Sequence, residues 1–158
     1  MKNIIFTFIL ICTLFSSQNL HSSGWGKGHY INGLGFTFDY VSYNDNNDIG
    51  AYITYRKGVV YYYSFFLTAD IGYRFKENNP QGRFGVQAMI ALWGIETGMV
   101  SAIADNTYYP GIYIGLAGVY PTNDYALFYS IGGNIYTNSH SNELYFSVTF
   151  LFNFFAGN

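Results

Sequence analysis

Charged residues are scarce in this chain. Only 10% of its 158 residues are Asp, Glu, Lys or Arg, against about 25% in a typical soluble domain. A soluble fold needs charged side chains to cover its outside, so the deficit argues against an ordinary soluble domain. The formal net charge of −2 also removes the electrostatic basis for nucleic-acid binding, and we expect no nucleic-acid partner.

A long apolar run is also missing, although a short one lies at the start. Lys2 supplies a positive charge, residues 4–15 form an apolar stretch, and small serine and glycine residues follow, as in a signal peptide. The stretch is shorter than the roughly 20 apolar residues that a spanning helix needs, which disfavours the alternative of an N-terminal anchor. We expect residues 1–23 to be a signal peptide and residues 24–158 to form one exported domain.

Cysteine is nearly absent, because Cys12 is the only one and lies inside the apolar stretch. A lipoprotein signal needs a small residue before the modified cysteine, and Ile11 is not small. We therefore expect Cys12 to be removed on export, which leaves no disulfide and no cysteine metal ligand. His21 and His29 have no Asp, Glu or Cys cluster at the spacing of a metal site, so we expect neither a metal nor a cofactor.

Aromatic residues and glycine are abundant instead. The chain contains 17 Tyr, 15 Phe and 18 Gly. Tyr and Phe favour β-strands, because their flat rings pack well on a pleated surface. This composition, together with the low charge, is typical of a strand-rich protein in contact with lipid.

Eight strand-like runs with alternating side chains follow one another along the exported domain. In the third run, Phe65, Leu67 and Ile71 share one face, while Ser64 and Thr68 share the other. An even number of such strands predicts an all-β fold, an eight-stranded antiparallel up-and-down transmembrane β-barrel. The predicted strands are 30–43, 49–56, 59–75, 83–92, 94–103, 111–120, 125–136 and 143–155.

Glycine, asparagine and proline guide the assignment of turns. Residues 57–58 and 93–94 are predicted as tight turns because each pair contains a glycine. A transmembrane helix over residues 85–104 is the alternative for the fifth strand, since Glu96 is the only charge there and a Gly-x-x-x-Gly motif is present. The other connections are predicted at 44–48, 76–82, 104–110, 121–124 and 137–142.

The last strand carries a ladder of large apolar side chains, Leu144, Phe146, Val148, Phe150, Phe152 and Phe154. It resembles the last strand of the small eight-stranded bacterial outer-membrane β-barrel proteins, and the alternation resembles theirs over the whole exported domain. That family commonly ends on the aromatic residue, whereas this chain continues with Ala156, Gly157 and Asn158. The resemblance implies the outer membrane of a diderm bacterium, with both termini facing the periplasm. It also implies two partners, the lipid bilayer and the barrel-assembly machinery that reads the last strand.

Six charged residues fall on the strand face that carries Gly, Ser and Thr, which is predicted to point inward. Buried charges are costly unless paired, so we predict an interior polar network with two layers of ion pairs. Arg56 and Glu96 belong to the layer nearer the periplasm. The network is either a polar plug or narrow gated path, or a solvated core that fixes the strand register. Its residues are Asp39, Arg56, Asp70, Arg74, Arg83 and Glu96.

Catalytic residues are not expected. Outer-membrane lipid A deacylases are small barrels with a Ser–His pair two residues apart on one strand, but His140 and Ser141 are adjacent. On a strand they would point to opposite faces, which prevents a nucleophile–base hydrogen bond.

The expected function is a small outer-membrane β-barrel with a structural or surface-interaction role, or a narrow pore. The alternatives are a lipid-modifying outer-membrane enzyme and a secreted or periplasmic barrel that binds a small apolar ligand inside.

Overall fold

Eight β-strands make up the fold in the computed structural model, which describes residues 29–44, 46–60, 62–121, 125–137 and 142–153. The predicted signal peptide lies outside the described residues. In this part of the chain, no helix is long and apolar enough to cross a membrane. The strands are β1 (His29–Tyr43), β2 (Asn46–Val60), β3 (Tyr63–Arg74), β4 (Asn79–Ile90), β5 (Trp93–Ala104), β6 (Thr107–Pro121), β7 (Tyr125–Tyr136) and β8 (Glu143–Asn153).

The strands form one closed barrel. Each strand pairs antiparallel with the next in sequence, and β8 returns to pair with β1. This confirms the predicted eight-stranded antiparallel up-and-down barrel. Because strand directions alternate, β1 begins and β8 ends at the same end, which we call the terminal end; the β2–β3, β4–β5 and β6–β7 connections lie there. The β1–β2, β3–β4, β5–β6 and β7–β8 connections lie at the opposite end, the loop end.

Side chains alternate between the outside and the inside of the barrel, with the apolar face outward as predicted. On β3, Phe65 is 55% exposed, whereas the neighbouring Phe66 is 0% exposed. The predicted assignment of side chains to the two faces is wrong next to two connections. Leu92 was assigned to the outward face and is buried, and Tyr62 was assigned to the inward face and is exposed. The alternative of a helix over residues 85–104 is wrong, because this segment contributes to the β4–β5 hairpin.

Both glycine-containing pairs that were predicted as turns lie inside strands. Residues 57–58 belong to β2 and residues 93–94 to β5. A Cβ on Gly58 would lie 2.6 Å from Cδ1 of Phe66 and 2.0 Å from the carbonyl oxygen of Phe65. The glycine is thus required by the close approach of the next strand rather than by a turn, and the two turn predictions are wrong.

The turns instead use residues other than glycine. Among the described residues no glycine has a positive φ, whereas five other residues do. Asn and Asp tolerate this conformation because their short side chains can hydrogen-bond locally. The turns are also shorter than predicted, since the next strands begin at Asn46, Asn79 and Thr107. The residues with positive φ are Asn44, Asn78, Ala91, Asp105 and Asn106.

Two apolar clusters occupy the interior at opposite ends of the barrel, and most of the buried polar side chains lie between or beside them. The terminal cluster consists of Ile31, Val60, Phe66, Met89, Leu92, Val119, Ala126, Phe128 and Leu151. The loop-end cluster consists of Val41, Val100, Ala102, Tyr113, Tyr136 and Tyr145, with Tyr43 and Tyr109 packed against it.

Candidate functional site

All six residues predicted for the interior network lie inside the barrel. None is more than 5% exposed. The structure brings Asp39, Asp70 and Arg83 together, pairs Arg74 with a residue outside the predicted set, and leaves Arg56 and Glu96 without a charged partner among the described residues. The charged residues of the network therefore pair differently from the prediction.

Arg83 holds two carboxylates at the centre of the network. Its Nη2 donates to Oδ2 of Asp39 at 2.7 Å, and its Nε lies 3.5 Å from Oδ2 of Asp70. The Ser147 hydroxyl donates to the other oxygen of Asp39 at 2.6 Å. Asp70 and Arg83 are direct cross-strand partners, so the β3–β4 register sets the second contact. The two ion pairs and these hydrogen bonds reduce the cost of burying the three charged groups, although Arg83 Nε itself has no hydrogen bond in the described part of the chain.

Aromatic rings also contact the Arg83 guanidinium. Its central carbon lies 4.8 Å from the ring centroid of Tyr52 and 5.2 Å from that of Tyr145, within the roughly 6 Å range of cation–π attraction. Glycines make room for these rings. A Cβ would lie 2.8 Å from the Tyr145 hydroxyl if placed on Gly115, and 2.6 Å if placed on Gly132. The small residues predicted for the inner face therefore accommodate large interior rings.

Arg74 pairs with Glu143 rather than with a predicted acidic residue. Two hydrogen bonds join them, Nη1 to Oε1 at 3.2 Å and Nη2 to Oε2 at 2.7 Å. Asn134 Nδ2 also donates to Oε2 at 2.8 Å, and the Tyr136 hydroxyl donates at 3.2 Å. The carboxylate is thus well supplied with donors, which is the condition under which a buried ion pair is tolerated.

Uncharged side chains connect the Arg74 pair to the rest of the network. Arg74 Nε donates to the Tyr52 hydroxyl at 3.1 Å, and this hydroxyl donates to Oε1 of Gln81 at 2.6 Å. Gln81 Nε2 then donates to the Tyr136 hydroxyl at 2.5 Å. Tyr52 also lies against Arg83, so it contacts both arginines and joins their two groups.

A line of three threonine hydroxyls connects Arg56 to Asp70. Thr54 donates to Asp70 Oδ1 at 2.8 Å, which commits its single hydroxyl proton. Thr37 lies 2.5 Å from Thr54 and must therefore donate to it. By the same reasoning Thr149, 2.6 Å from Thr37, donates to Thr37 and accepts from Arg56 Nη2 at 3.2 Å. All three protons point toward the carboxylate, and such aligned bonds polarise one another.

Arg56 and Glu96 do not form the predicted second layer of ion pairs. The Arg56 guanidinium lies 4.6 Å from the ring centroid of Phe128, and its Nε and Nη1 have no hydrogen-bond partner in the described part of the chain. Glu96 accepts hydrogen bonds from Gln87 Nε2 at 2.7 Å and from the Tyr145 hydroxyl at 2.6 Å. The prediction fails because Arg56 extends toward β7 and β8, whereas Glu96 bonds to side chains of β4 and β8.

Glu143 is the charged member of the network that sequence reasoning missed. The alternation of β8 carried the signal, because Glu143 has the same parity as Tyr145 and Ser147, which face inward. Two uncharged partners of Arg74 were missed for different reasons. Tyr52 shares the inward parity of β2, but its residue type does not distinguish it from other interior side chains, whereas Gln81 lies in the segment 76–82 that was predicted as a connection and belongs to β4 in the structure.

The chemistry of this interior is that of hydrogen bonding and charge pairing. Within the described residues, no group of three His, Cys, Asp or Glu side chains is placed to hold a metal ion. The predicted non-catalytic pair His140 and Ser141 lies outside the described residues. Comparisons of the chain with protein-family models, with curated proteins and with solved structures find no match. The geometry of the barrel is therefore the basis for assigning a function.

Proposed function

We propose that this chain is a small outer-membrane β-barrel with a structural or surface-interaction role. The observation that carries the proposal is the polarity of the barrel wall. Lys57 is the only charged residue on the outward face of the described strands, whereas the buried charged residues point inward. The buried charged residues are Asp39, Asp48, Arg56, Asp70, Arg74, Arg83, Glu96 and Glu143.

A lipid environment explains the outward face. Large apolar side chains such as Phe36, Ile53 and Leu116 are more than half exposed. Exposed apolar side chains of this kind lie on the outer surface of all eight strands. An apolar surface of this extent promotes aggregation in water. In a bilayer the same surface is solvated, and a closed barrel leaves no backbone group of its wall unpaired in the hydrocarbon.

Strand length and aromatic placement are consistent with a bilayer. The strands contain 11 to 15 residues, and about 9–11 tilted residues are enough to cross the hydrocarbon. Tyr63, Trp93 and Tyr125 are exposed at the terminal end. Tyr73 and Tyr108 are exposed at the loop end. Tyr and Trp favour the two membrane–water interfaces, so these rings fit the boundaries of the apolar belt.

The interior favours a structural role over a pore. Buried polar side chains, most of them in ion pairs or hydrogen bonds, occupy its middle, and the terminal cluster lies between that network and the terminal end. An eight-stranded barrel has room inside for little more than its own side chains. The polar side chains in the middle of the interior, between the two apolar clusters, also disfavour the alternative of an interior site for a small apolar ligand, which needs an apolar cavity.

Membrane extraction tests the proposal. The chain is expressed in a Gram-negative host, and its membranes are washed with sodium carbonate and separated by density. We expect the protein to stay with the outer membrane and to migrate differently on gels before and after boiling. Release by carbonate, or recovery in the soluble periplasm, would contradict the proposal.

One substitution separates a membrane barrel from a soluble one. Ile53 lies mid-strand on the outward face and is 62% exposed, so Ile53→Arg would cost little in water. At the centre of a bilayer the same change costs about 2–4 kcal/mol. We expect Ile53→Arg to lower the yield of heat-modifiable protein in membranes, while Thr107→Arg, at the exposed loop end, does not.

A further inference from the structure

An apolar groove lies on the outer surface near the loop end. Tyr40 on β1 and Ile49 on β2 are cross-strand partners that point outward, and Phe75 follows β3 beside them. The backbone N–H of Phe75 donates to the carbonyl oxygen of Ile49 at 3.0 Å, which fixes the main chain of Phe75 beside Ile49, and both residues line the groove. The groove is shallow and open along the outer surface, with a volume of about 650 Å³.

The polar edge of the groove is held in place by a buried carboxylate. Asp48 Oδ1 accepts from the backbone N–H of Ile49 at 2.7 Å and from that of Lys76 at 2.8 Å. Its Oδ2 accepts from the backbone N–H of Glu77 at 3.2 Å. These bonds tie the β3–β4 turn to the start of β2, so the main chain of Lys76 is fixed relative to the apolar floor.

Lys76 places a positive charge at this edge. Its Nζ donates to Oδ1 of Asn46 at 3.1 Å, and the side chain is exposed and lines the groove. Of the cationic residues that the structure describes, only Lys57 and Lys76 are exposed, and Lys57 lies toward the terminal end. Two carboxylates lie nearby and keep their negative charge, but Asp48 is only 3% exposed and accepts three backbone N–H groups, and Glu77 is half-buried and accepts from Asn79 at 2.9 Å, so Lys76 is the fully exposed charge at this edge.

We propose that this groove binds a membrane lipid with an anionic, phosphate-bearing headgroup from the leaflet at the loop end. An acyl chain lies against Tyr40, Ile49 and Phe75, and the phosphate contacts the Lys76 ammonium. Charge complementarity selects the headgroup, because the exposed cation sits at the edge where the apolar lining ends. The inference rests on the proposed membrane location and adds a lipid preference to it.

Native mass spectrometry of the full-length protein folded in detergent tests this lipid site. The probes are palmitoyl-oleoyl phosphatidylglycerol and palmitoyl-oleoyl phosphatidylcholine, which share acyl chains and differ in net charge. We expect phosphatidylglycerol to be retained preferentially, and Lys76→Gln to reduce that preference about fivefold, the effect of one cation near a lipid surface. Phe75→Ala is expected to reduce retention of both lipids.

Two matched variants control for non-specific effects. Lys57→Gln removes the other exposed cation, and Phe84→Ala removes an outward phenylalanine of β4 that does not line the groove. Both are expected to retain the lipids as the unmodified protein does. The proposal is overturned if Lys57→Gln weakens the preference as much as Lys76→Gln, if Lys76→Gln has no effect, or if a second copy of the chain replaces the lipid.

Failure of the lipid site is distinguishable from failure of the proposed function. If the protein resists carbonate extraction but shows no headgroup preference, the membrane location stands and only the lipid site is contradicted. If carbonate releases the protein, both proposals are contradicted. Folding of each variant is checked by heat-modifiable migration before the lipid measurement, and Lys76→Gln alters an exposed side chain whose structural contact is a single hydrogen bond to Asn46.

Discussion

Arg74 on β3 and Glu143 on β8 form an ion pair with two hydrogen bonds, of 3.2 and 2.7 Å, across the inside of the barrel. Their strands are not neighbours, because β1 and β2 lie between them in the sheet. The pair therefore joins parts of the wall that no backbone hydrogen bond connects directly. Both side chains are almost completely inaccessible to solvent, so each charge depends on the other for compensation.

Removing one partner of this pair should destabilise the barrel strongly. Glu143→Gln leaves the Arg74 guanidinium without its buried counter-charge, and a loss of about 3–5 kcal/mol is expected for such a change. Urea unfolding of the protein refolded into lipid vesicles, followed by tryptophan fluorescence, measures it. Asp105→Asn, in an exposed turn, should leave the transition unchanged. The double variant Arg74→Gln/Glu143→Gln should lose less than the sum of the single variants; additive losses would contradict a direct pairing.

Two adjacent glycines of β7 should respond differently to alanine. A Cβ on Gly132 would lie 2.3 Å from the Ile114 carbonyl oxygen and 2.6 Å from the Tyr145 hydroxyl, whereas on Gly133 the nearest atom is the Glu143 carbonyl oxygen at 3.4 Å. Overpacking of this kind costs about 1–3 kcal/mol. We expect Gly132→Ala to lower the free energy of unfolding by this amount and Gly133→Ala to have a much smaller effect. Equal effects would show that Tyr145 is not confined by Gly132.

Two buried arginines should differ in their importance for stability. Arg83 contacts the carboxylates of Asp39 and Asp70, so Arg83→Met leaves both acids uncompensated and should cost about 3–5 kcal/mol. Arg56 has no ion pair in the described part of the chain and lies on the Phe128 ring. Arg56→Met should therefore leave stability unchanged or raise it. A loss for Arg56→Met that matches the loss for Arg83→Met would refute the difference in pairing.

The threonine line should be sensitive to loss of its middle hydroxyl. Thr37→Val preserves the shape of the side chain but removes the donor to Thr54 and the acceptor for Thr149. Unsatisfied buried polar groups cost about 1–3 kcal/mol, and we expect a loss of unfolding free energy in that range. Thr107→Val, at an exposed position of the loop end, serves as the control. An unchanged midpoint for Thr37→Val would show that the hydroxyls are independently satisfied.

The strands were predictable because the side-chain period of a strand is two, and the apolar residues follow that period through all eight elements. The turns were less predictable, because glycine has two uses. Gly58 resembles a turn residue in sequence, yet in the structure it allows Phe66 to approach. Ala91 carries the positive φ of the β4–β5 turn, and its residue type gives no indication of that conformation.

The burial of the interior charges was predictable from strand parity, whereas their pairing was not. Asp70 and Arg83 are cross-strand neighbours, so the hairpin that joins them brings them together. Arg74 and Glu143 are separated by 69 positions in the chain and meet only because the closed sheet brings β3 opposite β8. The hydrogen-bond direction of the threonine line likewise depends on three strands meeting at the β8–β1–β2 seam.

The position of Trp93 provides a depth measurement for the proposed membrane location. Its ring packs edge-on against Tyr129 at 5.1 Å between centroids, near the terminal end of the outer surface. The chain has two tryptophans, so Trp25→Phe leaves Trp93 as the only one. In vesicles, lipids brominated near the headgroup should quench its fluorescence more than lipids brominated near the chain ends, because tryptophan at a strand end lies at the interface. In the variant Trp25→Phe/Trp93→Phe/Ile53→Trp, the only tryptophan lies in the middle of β2. Lipids brominated near the chain ends should then quench its fluorescence more than lipids brominated near the headgroup. The same order for both positions would mean that the apolar belt does not span the bilayer in the proposed orientation.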